Sequence, residues 1–255
     1  MADWNPQSYD RFARVRLQPA MDLLARLPEL PDGDVIDLGC GSGGVAGALH
    51  QRWSERRLIG IDSSPAMLET ARQTGIYADL VEADIQEWTP QTLSALIFSN
   101  AALQWVGKHE TLMPALARQL PTGGVLAVQM PYQHTAPSHT EWAAASERVL
   151  GTSPTPKPLN VLSPEAYFEV LSPLGHFDIW QVEYTQHLEA SGDGHPVRLF
   201  TESTFGKPYL DHAKTGKKAQ LIDAYEAGIA ETYPLRADGS VLFPFRRLFF
   251  TLRVA

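Results

Sequence analysis

The chain has 255 residues, a formal net charge of -8 and one cysteine. That length suits one large α/β domain, or one domain carrying an inserted subdomain, with ample capacity for a core. The acidic surplus argues against a general polyanion binder, so an anionic substrate would need a local cationic pocket, and the lone Cys40 excludes an intramolecular disulfide and makes a cysteine-rich metal site implausible.

Met1-Ala2-Asp3-Trp4-Asn5-Pro6 has neither a basic stretch nor an apolar one of the kind that directs export, and no run of about 18 apolar residues follows, so a cytoplasmic protein without membrane spans is expected. Pro19 and the helical spacing of Ala20, Leu23, Leu24 and Leu27 predict a helix over 19–27. From Asp34 strands and helices alternate: strands over 34–38, 57–62, 77–82, 93–99 and 123–130, and helices over 43–53, 65–73 and 109–120. Ser64-Pro65 supplies an N-cap and an N1 proline for the second of these helices. Alternation of this kind predicts a parallel sheet with helices on its faces. After Pro131 the prolines and the Ser, Thr and His content predict loops and short helices, then a helix over 164–172, a strand over 176–184, a turn at Ser191-Gly192-Asp193-Gly194, a helix over 217–230 and a final strand over 248–254.

The segment Val35-Ile36-Asp37-Leu38-Gly39-Cys40-Gly41-Ser42-Gly43-Gly44 is an apolar strand entering a glycine turn, and Asp62 ends the next strand. Glycines let backbone approach a ligand, the helix after them offers unpaired N–H groups, and a carboxylate on the second strand can accept both hydroxyls of a ribose. Gly39, Gly41 and Gly44 also satisfy G-x-G-x-x-G, which leaves an NAD-dependent oxidoreductase as a competitor. Three features favour S-adenosylmethionine. Asp37 precedes the turn to give D-x-G-x-G, which resembles the first motif of class I methyltransferases and suits an amino-acid tail better than a pyrophosphate. Glu82-Ala83-Asp84-Ile85 ends the third strand with an acceptor for an adenine amino group and an apolar wall. Asn100-Ala101 and Gln104-Trp105 follow the fourth strand, on the edge where open α/β sheets hold ligands. Taken singly, Asp84 reads as a solvated strand-end acid and Trp105 as a packed aromatic; their common register is what points to a site. Cys40 has no evident activating base and reads as a small buried residue.

Beyond these motifs the chain resembles one family of class I methyltransferases, the trans-aconitate 2-methyltransferases. The likeness runs through Trp4-Asn5-Pro6, Tyr9, Pro19-Ala20, Gly60-Ile61-Asp62-Ser63-Ser64-Pro65-Ala66-Met67, Asn100-Ala101, Gln104-Trp105, Gln129-Met130-Pro131, Pro137-Ser138-His139, Asp178-Ile179-Trp180, Tyr233-Pro234-Leu235 and Arg247-Leu248-Phe249. The resemblance implies methyl esterification of a small polycarboxylic acid by S-adenosylmethionine. It also implies one methyltransferase domain over 1–255: a seven-stranded, mostly parallel sheet with an antiparallel last strand, a cofactor-binding core over 33–131, an N-terminal helical cover within 1–30 and a helical cover over 190–232. The cofactor residues so implied are Asp37, Gly39, Cys40, Gly41, Gly43, Asp62, Ser63, Met67, Asp84, Ile85, Asn100, Ala101 and Trp105. Two departures bear on the acid pocket: Gln18 stands where the family carries arginine, and Lys207 stands for arginine in a G-L-R-P-like segment, exchanging a bidentate fork for a point charge.

A carboxylic acid is ionised at neutral pH, so this reaction needs no general base, and the residues to seek are anchors. Arg16 is the first candidate, followed by Gln129, Tyr9, His139, Lys207 and Arg247; Trp4, Phe12 and Trp105 could close over a sulfonium. No His, Cys and carboxylate spacing suggests a metal. Three other readings stay open on the sequence: the same fold acting on another acidic metabolite or a malonyl thioester, the oxidoreductase, and a non-catalytic cofactor-binding protein.

Overall fold

A computed structural model describes residues 13–154, 160–214 and 216–255, with side chains from residue 17 onward. The chain forms α1 (Ala13–Ala25), β1 (Asp34–Leu38), α2 (Ala46–Arg52), β2 (Leu58–Asp62), α3 (Pro65–Arg72), β3 (Asp79–Glu82), β4 (Ser94–Asn100), α4 (His109–Ala117) and β5 (Val125–Pro131). It continues with α5 (Pro137–Leu150), α6 (Pro164–Leu171), β6 (Gly175–Leu188), α7 (Pro196–Glu202), α8 (Lys207–His212), α9 (Lys218–Ile229) and β7 (Val241–Val254).

The seven strands make one sheet in the order β3-β2-β1-β4-β5-β7-β6. β1 to β5 are mutually parallel, and β7 runs antiparallel to β5, with Gln129 opposite Phe249 and Pro131 opposite Arg247. β6 is antiparallel to β7 as well: Trp180 stacks on Phe249, and further along β6 Glu183 meets Arg246, further back along β7. The central strands read as unbroken apolar runs because both their faces are covered, and Ile36, Leu38, Ile97, Phe98, Leu126 and Val128 are all buried. Each such side chain stabilises the fold by about 1.5–3 kcal/mol relative to exposure.

Local chemistry sets the ends of the helices. The Ser64 hydroxyl accepts the Met67 N–H at 3.4 Å ahead of Pro65, and Ser163 does the same for Ala166 at 3.2 Å ahead of Pro164. Gly151, in a left-handed conformation, ends α5.

Three expectations are corrected. The helix predicted from residue 43 begins at Ala46, because residues 41–45 are a turn in which the Gly43 N–H is bonded to the Cys40 carbonyl at 3.0 Å. The segment after Pro131, expected to hold only short helices, contains the 14-residue α5; its buried stripe, Ser138, His139, Trp142, Ala145 and Ser146, has helical spacing but is largely polar, which hid it. The last strand starts at Val241, not 248, despite Pro244. There the Gln133 side chain stands in for a strand partner, donating to the Pro244 carbonyl at 2.9 Å and accepting the Arg246 N–H at 3.1 Å.

The chain divides into two compact units: Met1–Pro131 with Leu159–Val182 and Arg247–Ala255, and Tyr132–Pro158 with Glu183–Arg246. In the first, α1 packs on β5, α3 on β2 and β3, and α4 on α6. In the second, α5 packs on α7, α8 and α9. At its centre Trp142 stacks on Tyr225 at 4.0 Å and donates to Thr201 at 3.1 Å, while Tyr225 donates to the Ser138 carbonyl at 2.9 Å.

Candidate functional site

The first unit gathers its polar side chains at the carboxyl ends of β1, β2, β4 and β5. Apolar β1 leads directly into the glycine turn, whose Gly39 and Cys40 N–H groups both bond to the Ile61 carbonyl, at 2.8 and 3.0 Å, locking the turn to the end of β2. Gly39 has φ +77°, and a Cβ there would stand 2.2 Å from the Ala102 Cβ, so turn and β4 loop are in backbone-limited contact. Gly41, at φ +54°, has nothing within 4 Å of where its Cβ would be: that side of the turn is open.

Asp37 is buried beneath the turn and accepts the Tyr77 hydroxyl at 2.7 Å. Burial raises its pKa to about 6, the Tyr77 bond offsetting part of that rise and the nearby Asp62 charge adding to it. Burial likewise pushes the Cys40 thiol up, helped by the Asp37 and Asp62 charges, so Cys40 is a neutral filler and not a nucleophile. Tyr77 and Gly60 are the two participants that sequence reasoning missed. A Cβ on Gly60 would lie 2.9 Å from Tyr77 Cε1 and 3.0 Å from Cys40 Sγ, so the glycine makes room for the ring that reaches Asp37. A glycine in the middle of a strand was the available signal.

Asp62 uses one carboxylate oxygen for the Gly41 N–H and the other for the Ser64 N–H, both at 2.9 Å. The expected free N–H groups at the turn are thus partly spent within the protein, while each oxygen keeps a second lone pair for a hydroxyl. Ser63 is exposed next to it; the Met67 side chain is buried in the core face of α3. Asp84 is exposed and accepts the Gln86 N–H at 2.9 Å, and Ile85, buried, has its Cδ1 3.7 Å from the Gly39 Cβ position.

After β4, Ala101 takes a left-handed φ of +54° and its N–H bonds to the Gln129 carbonyl at 2.9 Å. The Gln104 amide donates back to the Ala101 carbonyl at 2.7 Å, and Trp105 stands 38% exposed at the end of this turn. Asn100 Oδ1 is buried with no hydrogen-bond partner. Its register partner on β5 is Gln129, also buried, whose Oε1 accepts from Arg247 Nη1 at 3.4 Å.

In the second unit, His139 is buried between Ser138, whose Oγ lies 3.1 Å from Nδ1, and the Phe205 ring at 4.4 Å. Burial lowers its pKa to about 3, with His134 adding to the effect, so it is a neutral imidazole at physiological pH and no cationic anchor. Lys207 is exposed and pairs with Asp211 at 2.7 Å. Gln18, the other departure, is exposed on α1 and donates to Asp22 at 2.8 Å. Trp4, Tyr9, Phe12 and the Arg16 side chain lie outside the described residues. Among the described residues no group of three or more His, Cys, Asp or Glu is placed to hold a metal ion, and no helix is long and apolar enough to cross a membrane.

These strand ends suit a ligand carrying an ammonium group and vicinal hydroxyls: an unpartnered buried acceptor at Asn100, spare lone pairs on Asp62 and an open face at Gly41. S-adenosylmethionine has both features, so the residues present fit it.

A family profile described as a methyltransferase domain matches residues 35–124. Proteins named trans-aconitate 2-methyltransferase are similar over nearly the whole chain. One from Azoarcus sp. is 38% identical, covering 98% of each chain; one from Acidovorax ebreus is 41% identical, covering 98% of this chain and 97% of its own. One from Escherichia coli is 38% identical, covering 99% of both. Among solved structures, a geranyl diphosphate C-methyltransferase from Streptomyces coelicolor superposes with a TM-score of 0.52 at 18% identity, covering 98% of this chain and 83% of that one. A phosphoethanolamine N-methyltransferase from Haemonchus contortus does so with a TM-score of 0.52 at 17% identity, covering 92% and 52%. At those identities the structures speak for the fold alone, whereas the end-to-end relatives decide the family: the chain belongs to the trans-aconitate 2-methyltransferases, within the class I methyltransferases.

Proposed function

We propose that the protein transfers a methyl group from S-adenosylmethionine to a carboxylate oxygen of a small polycarboxylic acid, trans-aconitate, giving the methyl ester and S-adenosylhomocysteine. The observation that carries this reading is the shared strand-end register of the glycine turn, Asp62 and the unpartnered Asn100 Oδ1, in a chain whose relatives bear that activity in their names. The relatives lend nothing to the dinucleotide alternative.

The bound cofactor supplies an electrophilic methyl group on a sulfonium. The turn from Gly39 to Gly43, with Cys40 contributing backbone, and Asn100 with Ala101 hold the amino-acid tail. Asp62 and Ser63 take the ribose, with Met67 supporting that loop from the core, and Asp84, Ile85 and Trp105 border the base and the reacting end. The acid arrives ionised, so the protein's contribution is alignment and exclusion of water, and orientation of this kind is worth up to about 7–11 kcal/mol of barrier. Of the candidate anchors, Gln129 and Arg247 lie together beside the carboxyl end of β5 and are the ones to hold the carboxylates that do not react.

Calorimetry with S-adenosylhomocysteine, followed by mass spectrometry of trans-aconitate incubated with enzyme and S-adenosylmethionine, tests both halves. Absence of cofactor binding removes the methyltransferase reading; binding without esterification of trans-aconitate, with another acid esterified instead, changes the substrate only. Asp62→Ala should weaken S-adenosylhomocysteine by about 1–3 kcal/mol through lost ribose bonds. Because Asp62 also holds the Gly41 and Ser64 N–H groups, Asp62→Asn, which keeps one acceptor, should lose less. Equal affinity across the three proteins would contradict the ribose role.

A further inference from the structure

Asn100 and Gln129 are register partners on the neighbouring parallel strands β4 and β5, at the ligand-holding edge of the sheet. Asn100 Oδ1 is a buried acceptor with no partner and Gln129 Nε2 is a buried donor with no partner, yet the two do not bond to each other. Burying an unpaired amide N–H in the core of a sheet is unfavourable, and a leucine would fill the same volume without that cost. The orientation of the Gln129 amide is set as well: Arg247 donates to Oε1, and a flipped amide would bring two donors together. The hydrogen bond from a guanidinium also draws charge from the amide and strengthens Nε2 as a donor.

An oriented, polarised N–H donor beside an acceptor calls for a ligand group that only accepts. We propose that Gln129 Nε2 is a specificity contact for a non-reacting carboxylate of the acid substrate, with Arg247 as the residue that positions it. The inference rests on the proposed function and adds to it how a polycarboxylic acid is told from a monocarboxylic one. The buried, unpartnered atom of Asn100 is by contrast an acceptor, Oδ1, which suits the cofactor's ammonium group; the two buried amide atoms thus divide the two ligands by hydrogen-bond sense.

The test uses the full-length protein loaded with S-adenosylhomocysteine, to which trans-aconitate and a monocarboxylic acid, crotonate, are titrated calorimetrically, for wild type and Gln129→Leu. Methyl-transfer kinetics with trans-aconitate are measured in parallel. Gln129→Leu should bind S-adenosylhomocysteine within twofold of wild type, which also certifies its fold, while trans-aconitate binding weakens at least tenfold and crotonate binding is unchanged. In the kinetics the loss should appear mainly in KM. Gln129→Glu keeps the acceptor for Arg247 but presents a negative charge to the acid, and should be worse than Gln129→Leu. If wild type binds trans-aconitate and Gln129→Leu binds it equally well, the specificity role is wrong and the proposed function stands. If Gln129→Leu loses S-adenosylhomocysteine instead, the amide belongs to the cofactor tail and the inference is overturned. If the loaded wild type binds no carboxylic acid at all, the proposed function falls and this inference falls with it.

Discussion

Gly39→Ala is expected to cost about 2–5 kcal/mol of stability and to remove measurable cofactor binding, although it adds a single methyl group. Two separate penalties make up that figure. Holding a residue with a Cβ at φ +77° costs about 1–2 kcal/mol. The new methyl would also stand 2.2 Å from the Ala102 Cβ, a contact that rotamer changes cannot relieve because neither side chain has one to change. Either the turn or the β4 loop must move, and the Gly39 and Cys40 bonds to the Ile61 carbonyl resist the first. A double-mutant cycle separates the penalties: Ala102→Gly on the Gly39→Ala background should recover the overlap and leave the conformational part. Denaturant unfolding of the four proteins measures it, and an additive cycle would refute the contact.

The arrangement of β1 to β5 was legible in the sequence because those strands are short apolar runs separated by N-cap and glycine signals, and Ser64-Pro65 acts within a few residues of itself. What stayed hidden depends on partners distant along the chain. Pro244 reads locally as a strand breaker, and only the Gln133 side chain, far earlier in sequence, explains why β7 continues through it. α5 buries Ser138, His139 and Ser146 on its inner face, so its periodicity is one of burial and not of hydrophobicity. At the site the same division holds. The turn and Asp62 announce themselves by type and spacing, but Tyr77 belongs to the site only because its hydroxyl reaches Asp37 across β2, through the gap left by Gly60. Nor could the sequence tell that Asn100 and Gln129 present opposite halves of their amides.

The burial of Asp37 beneath the turn makes the second large effect, a trade between stability and cofactor affinity that pH controls. Burial raises the Asp37 pKa to about 6 from the ordinary aspartate value of 3.8, so the native state holds its proton more tightly than the unfolded chain does. The stability this provides is complete below pH 3.8 and disappears as pH rises through 6, a loss of about 3 kcal/mol at about 1.4 kcal/mol per pH unit. Asp37→Asn cannot ionise and keeps an acceptor for the Tyr77 hydroxyl, so its advantage over wild type should grow by about 2.4 kcal/mol between pH 4 and pH 7, the rest of the loss falling below pH 4. That difference of differences is insensitive to whatever the extra amide hydrogens cost at both pH values. Parallel stability profiles for the two proteins would show that Asp37 is not the titrating group. Under the proposed function the carboxylate is retained despite this cost because its negative charge lies beneath the turn that receives a ligand end of net positive charge, with sulfonium and ammonium outweighing one carboxylate. S-adenosylmethionine affinity of the wild type should therefore fall roughly tenfold as pH drops from 7 to 5, while that of Asp37→Asn stays low and flat. S-adenosylhomocysteine, which lacks the sulfonium charge, should show a smaller pH dependence, and an equal one would place the charge effect elsewhere in the site.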